Sequence, residues 1–406
     1  METRMPTHGN QIDLAELIAP VDEDVFLDKY LFKKPLIVPG PEDKFHSLFT
    51  WRSLNRLLNK SRHDPVRVHM DKVGVAQEDL PFTHIVPNVR GERISRIDVQ
   101  ALYGHLRNGA TLVVDAVNEV DEDVATVTEK VGARLSTTRA TTVLFTSFGR
   151  TPGFAMHWDS RDVYALQVEG EKRWTIYEPS QAFPMGRGDH SIPGSGEPGT
   201  LVWDGVLTKG DMLYVPRGWW HEVKSTDSPS VHLALGVAPV TGLDYLDWLR
   251  EVCEDDDFFR ADMPLLISDS EMAAYATRLT AAITERLASY DARDFIQNLQ
   301  VSSPIQTYVS LPEGVWPDRS GLKPEDRVRL SPLMARITDE PDWIRLQGGG
   351  REFRAPKWSL PLVRSLAAGR MASVQQLGEL VAGTPEDEIR QLLAQLITKG
   401  FLHIIQ

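Results

Sequence analysis

The rhythm of apolar and polar positions changes twice along the chain. Up to about residue 120, apolar residues fall alternately at helical and at extended spacing. "DEDVFLDKYLF" carries Val25, Phe26, Tyr30 and Leu31 at helical intervals, and "KKPLIVPG" follows as a strand closed by Pro39-Gly40. "WRSLNRLLNK" predicts a short amphipathic helix and "VRVHM" a strand; "DVQALYGHLRNG" predicts a helix stopped at Asn108-Gly109, and "ATLVVDAV" another strand. Between about 140 and 240 the runs become short and turn-punctuated: "TTVLFTSF", "VYALQV", "KRWTIYEP", "GTLVWDGVLTKGD", "MLYVP", "VHLALGV". Strands recurring at such spacing, with Gly or Pro between them, predict an all-β barrel or sandwich. Within it "VEGEK" (168–172) reads as a hairpin tip and "KGD" (209–211) as a tight turn.

After Pro239 the strands stop. "GLDYLDWLREVCEDDDFF" and "DSEMAAYATRLTAAITERLASY" predict helices, the second with Met272, Tyr275, Leu279 and Ile283 on one stripe. A Pro-, Gly- and charge-rich stretch over 310–328 reads as a linker. Beyond about 331, "APKWSLPLVRSLAAG" and "SVQQLGELVAG" predict two helices. "TPEDEIRQLLAQLITKG" predicts a third, with Thr384 as N-cap, Pro385 at its first position and Ile389, Leu392, Leu393, Leu396 and Ile397 as apolar face. "FLHII" then reads as an edge strand, and helices followed by a short β element suggest a winged helix. The expected division is 1–240, 241–330 and 331–406.

Composition narrows the function classes. The chain has 406 residues, 42% hydrophobic and 25% charged, the balance of a soluble globular protein. No apolar run reaches the roughly 20 residues that span a bilayer, and the N-terminus lacks a signal-peptide core, so membrane insertion and export are not expected. A single cysteine, Cys253, excludes an internal disulfide and a thiolate cluster, and is expected to be a small buried hydrophobe in a cytoplasmic protein. The net charge of −13 argues against specific nucleic-acid binding and leaves room for a basic protein or peptide partner. The last unit offers no phosphate-binding surplus either. From 357 on it carries Lys357, Arg364, Arg370, Arg390 and Lys399 against Glu379, Glu386, Asp387 and Glu388, so it is expected to pack or dock partners.

The chemistry-bearing run is "FAMHWDS". On an extended backbone His157 and Asp159 project to one face while Trp158 projects to the other, expected to be outward. A third ligand is offered by His221 in "GDMLYVPRGWWHEV", where Pro216-Arg217-Gly218 would bend the chain and aim the imidazole inward. Two histidines and one carboxylate on one side of a metal leave the opposite positions open. That is the facial triad of non-haem Fe(II) oxygenases, which bind co-substrate and O2 there. The ordinary alternative is a hydrogen-bonded core His-Asp pair. His84, His190 and His232 are left out: the first has no partner in view, the second sits in a Gly/Pro/Ser-rich loop, and the third reads as a satisfied strand histidine before "LALGV". O2 activation needs electrons, commonly from 2-oxoglutarate, whose distal carboxylate needs a buried cation. Lys172 is the candidate; flanked by Glu171 and Arg173, it reads equally as part of a charged hairpin tip.

These segments together resemble a known family, the JmjC-type cupin oxygenases, and within them the ribosomal-oxygenase subgroup. "FLDKYLFKKPLIVPG", "GFAMHWDSRDVYALQVEGEKRWTIYEP", "GDMLYVPRGWWHEV", "SVHLALGV" and "DDDFFRADMP" are similar to that subgroup's segments, in its order and over nearly the whole chain. The resemblance implies a mixed α and β fold: a double-stranded β-helix (cupin/JmjC) barrel with N-terminal α/β elements, then a helical region that forms a homodimer, then a C-terminal winged-helix-like domain. It implies His157, Asp159 and His221 as Fe(II) ligands and Lys172 as partner of the 2-oxoglutarate distal carboxylate. On the strand before "HWD" the subgroup tends to show an Asn and a Tyr beside the co-substrate, and the alignment puts Thr142 and Leu144 there. Ala234 stands where relatives often carry a Thr, and the "GRTPGFAM" loop is longer. The implied activity is an Fe(II)- and 2-oxoglutarate-dependent hydroxylation, with O2, of an amino-acid side chain in a protein or peptide, such as a ribosomal protein. The alternatives are a tailoring hydroxylase acting on a biosynthetic precursor peptide or small molecule, and a cupin that no longer catalyses and serves as an interaction module.

Overall fold

A computed structural model describes residues 12–60, 67–135, 139–149, 153–185, 196–302, 308–316, 321–331, 335–369 and 371–405. The chain divides into two compact units, residues 1–135 with 139–239, and 136–138 with 240–406.

The first unit opens with helices α1 (Leu14–Ile18) and α2 (Glu23–Lys29), strand β1 (Leu36–Val38), helix α3 (Trp51–Leu58) and strand β2 (Val68–Asp71). Asp13, Asp22 and Thr50 cap the three helices by accepting from their first-turn N–H groups. A two-stranded ribbon of β3 (Thr83–Pro87) and β4 (Arg93–Ile97) leads to α4 (Val99–Arg107), β5 (Thr111–Val114) and α5 (Glu122–Arg134). The β-rich region then supplies β6 (Ala140–Ser147), β7 (Asp162–Glu169), β8 (Glu171–Tyr177), β9 (Leu201–Thr208), β10 (Met212–Val215), β11 (Trp220–Ser225) and β12 (Ser230–Val237). All pairings are antiparallel. Seven strands form one sheet in the order β1-β10-β7-β12-β6-β5-β2, and three form another in the order β11-β8-β9. The unit is a mixed α and β fold around a large antiparallel sheet.

Strands β7 and β12 are buried on both faces, which explains why "VYALQV" and "VHLALGV" do not alternate cleanly. Away from the small sheet, Tyr164, Leu166, Leu233 and Leu235 join Leu14, Leu17, Ile18 and Phe26 of the N-terminal helices in one core. Ala165, Leu213 and Val215 pack instead with Trp174, Ile176 and Leu207 of the small sheet.

"VEGEK" is not a hairpin tip. β7 pairs with β10 and β12, whereas β8 pairs with β9 and β11, so the chain leaves one sheet at Glu169 and enters the other at Glu171. Gly170 makes this corner at φ +64°, and a Cβ there would lie 1.9 Å from the Pro229 carbonyl oxygen. "KGD" is the tight turn expected, with Gly210 at φ +94°.

In the second unit, α6 (Gly242–Cys253), α7 (Asp257–Arg260), α8 (Asp269–Ser289) and α9 (Ala292–Ser302) form a helical run. Capping boxes, Thr241 with Asp244 and Ser268 with Glu271, start α6 and α8. Cys253 is only partly buried, not the core residue expected. Strand β13 (Arg327–Leu330) begins inside the stretch expected as linker. There follow β14 (Arg336–Asp339), β15 (Trp343–Gly348), β16 (Arg351–Pro356), α10 (Leu360–Ala367), β17 (Ala372–Ser373), α11 (Val374–Glu379), α12 (Glu386–Thr398) and β18 (Leu402–Ile405). β18 is an edge of the sheet β17-β13-β18, and Leu392, Leu393 and Leu396 of α12 are buried in this unit's core. The cap position of α12 is Pro385, not Thr384, and no side chain caps it. His190 and residues 150–152 of the "GRTPGFAM" loop lie outside the described residues.

Candidate metal centre

The "HWD" run is extended but belongs to neither sheet. The His157 N–H donates to the His221 carbonyl at 3.1 Å, the His221 N–H donates back at 2.7 Å, and the Gly218 N–H donates to the Asp159 carbonyl at 2.9 Å. Three backbone bonds thus pin residues 157–159 beside the start of β11, and Gly218 makes the preceding bend at φ +84°. The i, i+2 projection of His157 and Asp159 therefore holds without a regular strand. Trp158 does not point to solvent: it is 1% exposed, packed into the protein on the side opposite its neighbours.

One ligand atom from each of His157, Asp159 and His221 lies within 4.8 Å of the others, the grouping a single metal ion requires. The His221 Nε2 is 3.6 Å from Asp159 Oδ2, and the two imidazole rings are 4.4 Å apart, centroid to centroid. Each imidazole has its Nδ1 engaged by a carbonyl, that of Ala155 at 2.8 Å for His157 and that of Trp219 at 3.1 Å for His221. A carbonyl only accepts, so each ring carries a proton on its Nδ1, and the Nε2 of His221 is the nitrogen that faces Asp159. Burial, reinforced by the nearby His157, pushes the His221 pKa down to about 4, against the opposing pull of Asp159 and the Trp219 carbonyl. His221 is neutral at pH 7, the state that ligates metals, and its approach to Asp159 is not an ion pair. Tautomer, protonation and convergence all fit a divalent cation.

These residues stand at a cavity of about 440 Å3 between the two sheets, within the range of small-ligand sites. Lys172 lines the same cavity from β8, with 3% exposure, and its Nζ lies 3.0 Å from His232 Nδ1 on β12. Desolvation draws the Lys172 pKa down to about 7, and burial with the adjacent ammonium holds His232 well below the ordinary imidazole range. Phe145, Trp174, Val143 and Ala234 supply apolar walls to the same cavity.

Thr142 and Leu144 do not reach this cavity. The pocket face of β6 carries Thr141, Val143 and Phe145, and strand alternation sends Thr142 and Leu144 to the other side. Thr142 Oγ1 shares a hydrogen bond with Thr128 Oγ1 at 2.6 Å, its N–H donates to Asn118 Oδ1, and Leu144 is fully buried in the core with the N-terminal helices. The co-substrate role expected of Thr142 has no geometric basis; on this strand Val143 and Phe145 face the cavity. Two further residues lie there unannounced by the sequence. His232, set aside as a satisfied strand histidine, contacts Lys172. Arg161 lines the rim and lies across Gly236, where a Cβ would come within 2.6 Å of Arg161 Cδ.

Two facing antiparallel sheets with a His-Asp-His set at their common cavity are consistent with a cupin-type barrel that carries a candidate metal site. Residues 119–245 match the JmjC domain family, and this part of the chain is a JmjC domain. The Caenorhabditis elegans bifunctional lysine-specific demethylase and histidyl-hydroxylase NO66 is 29% identical over 230 residues, 56% of this chain and 29% of that protein. Ribosomal oxygenase 2 of Rattus norvegicus is 23% identical over 290 residues, 67% of this chain and 58% of that protein. The chain thus spans less than two thirds of the length of these curated relatives. Among solved structures, the Escherichia coli ribosomal oxygenase YcfD in complex with cobalt and 2-oxoglutarate superposes with a TM-score of 0.59 at 18% identity, covering 95% of this chain and 99% of that one. At that identity the likeness is one of fold. No helix among the described residues is long and apolar enough to cross a membrane.

Proposed function

We propose that the chain is an Fe(II)- and 2-oxoglutarate-dependent oxygenase that hydroxylates an amino-acid side chain of a protein or peptide. The observation that carries this reading is the pairing, in one cavity, of a convergent His157-Asp159-His221 set with a buried lysine that has no carboxylate partner among the described residues. A buried cation so placed favours an anionic ligand, because an unpaired charge in such surroundings is costly. When bound, iron with 2-oxoglutarate supplies the activation of O2. This chain's residues do the rest. The His157 and His221 imidazoles and the Asp159 carboxylate would hold the metal. Lys172 orients the co-substrate by its distal carboxylate. Phe145, Trp174, Val143 and Ala234 keep bulk water from the space between.

A protein substrate is favoured because the relatives' names include a histidyl-hydroxylase and a ribosomal oxygenase. The net charge of −13 suits a basic partner. The tailoring reading loses Thr142 and Leu144, which face away from the cavity; Ala234, which lines it, still bears on substrate choice. The helical region is proposed to join two copies of the chain, and residues 331–406 to act as a winged-helix-like docking module.

Succinate formation from 2-oxoglutarate with added Fe(II) tests the activity, and a mass gain of one oxygen on ribosomal proteins or peptides tests the substrate. The succinate signal should disappear in His157→Ala and Asp159→Ala. Equal succinate formation in both variants and the wild type would sink the reading of His157 and Asp159 as its metal site. No succinate above the enzyme-free background in the wild type would leave an interaction module as the better reading.

A further inference from the structure

The buried ammonium of the cavity is held by a histidine from the opposite sheet, and the geometry of that contact has a direction. Lys172 Nζ is 3.0 Å from His232 Nδ1. An ammonium has only protons to offer, so Nδ1 accepts and the imidazole carries its own proton on Nε2. That Nε2 has no hydrogen-bond partner among the described residues, and His232 lines the cavity. The ring is also fixed in orientation. Phe145 stacks on it at 4.9 Å with 11° between the planes, and Trp174 meets it at 5.6 Å and 74°.

A carboxylate in the place of His232 would neutralise Lys172 and leave little for a ligand. A neutral imidazole instead fixes the ammonium while leaving its charge and two of its three protons available. The remaining donors, Lys172 Nζ and His232 Nε2–H, match the two oxygens of one carboxylate. We propose that His232 is a further residue of the co-substrate site, positioning the Lys172 ammonium and offering its own Nε2–H to the same distal carboxylate of a 2-oxo dicarboxylate. This rests on the reading of Lys172 given above.

The test is binding without turnover. The full chain is loaded with Mn(II) and titrated calorimetrically with 2-oxoglutarate, then with pyruvate, a 2-oxo acid that lacks the distal carboxylate. His232→Phe keeps a stacked ring without its nitrogens, and should raise the 2-oxoglutarate Kd by about tenfold or more, the range of a hydrogen bond to a charged group. It should leave the pyruvate Kd within about twofold by the same reasoning. His232→Asn places an amide oxygen near the Nδ1 position and should recover part of the loss. Added to Lys172→Met, His232→Phe should cost almost nothing further, since the two act on one carboxylate. Wild-type 2-oxoglutarate affinity in His232→Phe would overturn the inference. So would equal weakening of both ligands, which marks a packing defect, or full additivity with Lys172→Met. If the wild type itself binds Mn(II) but no 2-oxoglutarate, the functional reading fails and this inference falls with it.

Discussion

His157 and His221 exchange both of their backbone hydrogen bonds, an isolated bridge between two segments separated by more than sixty positions in the chain. Their side chains are therefore placed opposite one another by backbone groups alone, and their tautomers are set by the Ala155 and Trp219 carbonyls. A metal ion held by the proposed ligands would not have to assemble them on arrival.

That preorganisation makes the metal ligands separable from the fold. His157→Ala, with its backbone bonds intact, should melt within a few degrees of the wild type in the absence of metal. Wild-type protein should gain about 2.7 kcal/mol of stability with Mn(II) at a hundred times its Kd. His157→Ala, Asp159→Ala and His221→Ala should each lose that gain in a thermal melt with and without Mn(II). A full Mn(II)-induced shift in any of the three would remove that residue from the ligand set.

Lys172 predicts a pH dependence with a definite sign. Burial brings the free site's ammonium down to about 7, so below that pH it is charged and ready for an anion. Above pH 7 the free lysine is neutral and binding a carboxylate must take up a proton. Affinity for 2-oxoglutarate, measured with Mn(II), should be flat below pH 7 and then fall by up to about tenfold per pH unit, the limit for one linked proton. In Lys172→Met the same titration should be weak and without that slope. A wild-type affinity constant from pH 6.5 to 8.5 would place the carboxylate on another group.

What the sequence made legible was set by local periodicity. His157 and Asp159 needed only an extended backbone, and the bends at Gly210 and Gly218 needed only glycine at positive φ. The parity of β6 was not legible, because "TTVLFTS" carries threonine and apolar residues on both faces and a shift of one residue exchanges them. An alignment to the subgroup that is one residue out of phase therefore puts Thr142 at a cavity that Val143 and Phe145 line. His232 was missed for a related reason: in β12 both faces are buried, and only the partner strand shows that this histidine meets Lys172. The corner at Gly170 looked like a hairpin because sequence shows that a chain turns, not which sheet it enters.

The corner carries its own prediction. Gly170→Ala forces a Cβ into a left-handed conformation and against the Pro229 carbonyl at 1.9 Å, which is backbone and cannot rotate away. The conformational term alone costs about 1–2 kcal/mol, and the contact adds to it. In a unit of this size each kcal/mol lowers the melting point by about 2–4 °C, so the apparent Tm should drop by at least several degrees. An unchanged Tm would show that the corner relaxes freely.

The helix α8 runs 21 residues, about 31 Å, without one buried residue. Met272, Tyr275, Leu279, Ile283 and Leu287 recur at intervals of three or four along it, so they form one stripe. Met272, Ile283 and Leu287 are 36%, 41% and 41% exposed, and Leu243 and Leu246 of α6 are more exposed still. A stripe of this length suits a second copy of the same helix, because a two-fold axis lets one apolar face bury its own duplicate. The proposed homodimer should sediment at twice the chain mass at micromolar concentration. Ile283→Asp with Leu287→Asp, which puts a pair of charges into that seam from each copy, should yield monomers whose metal binding is unaltered. A monomeric wild type at tens of micromolar would refute the two-fold seam.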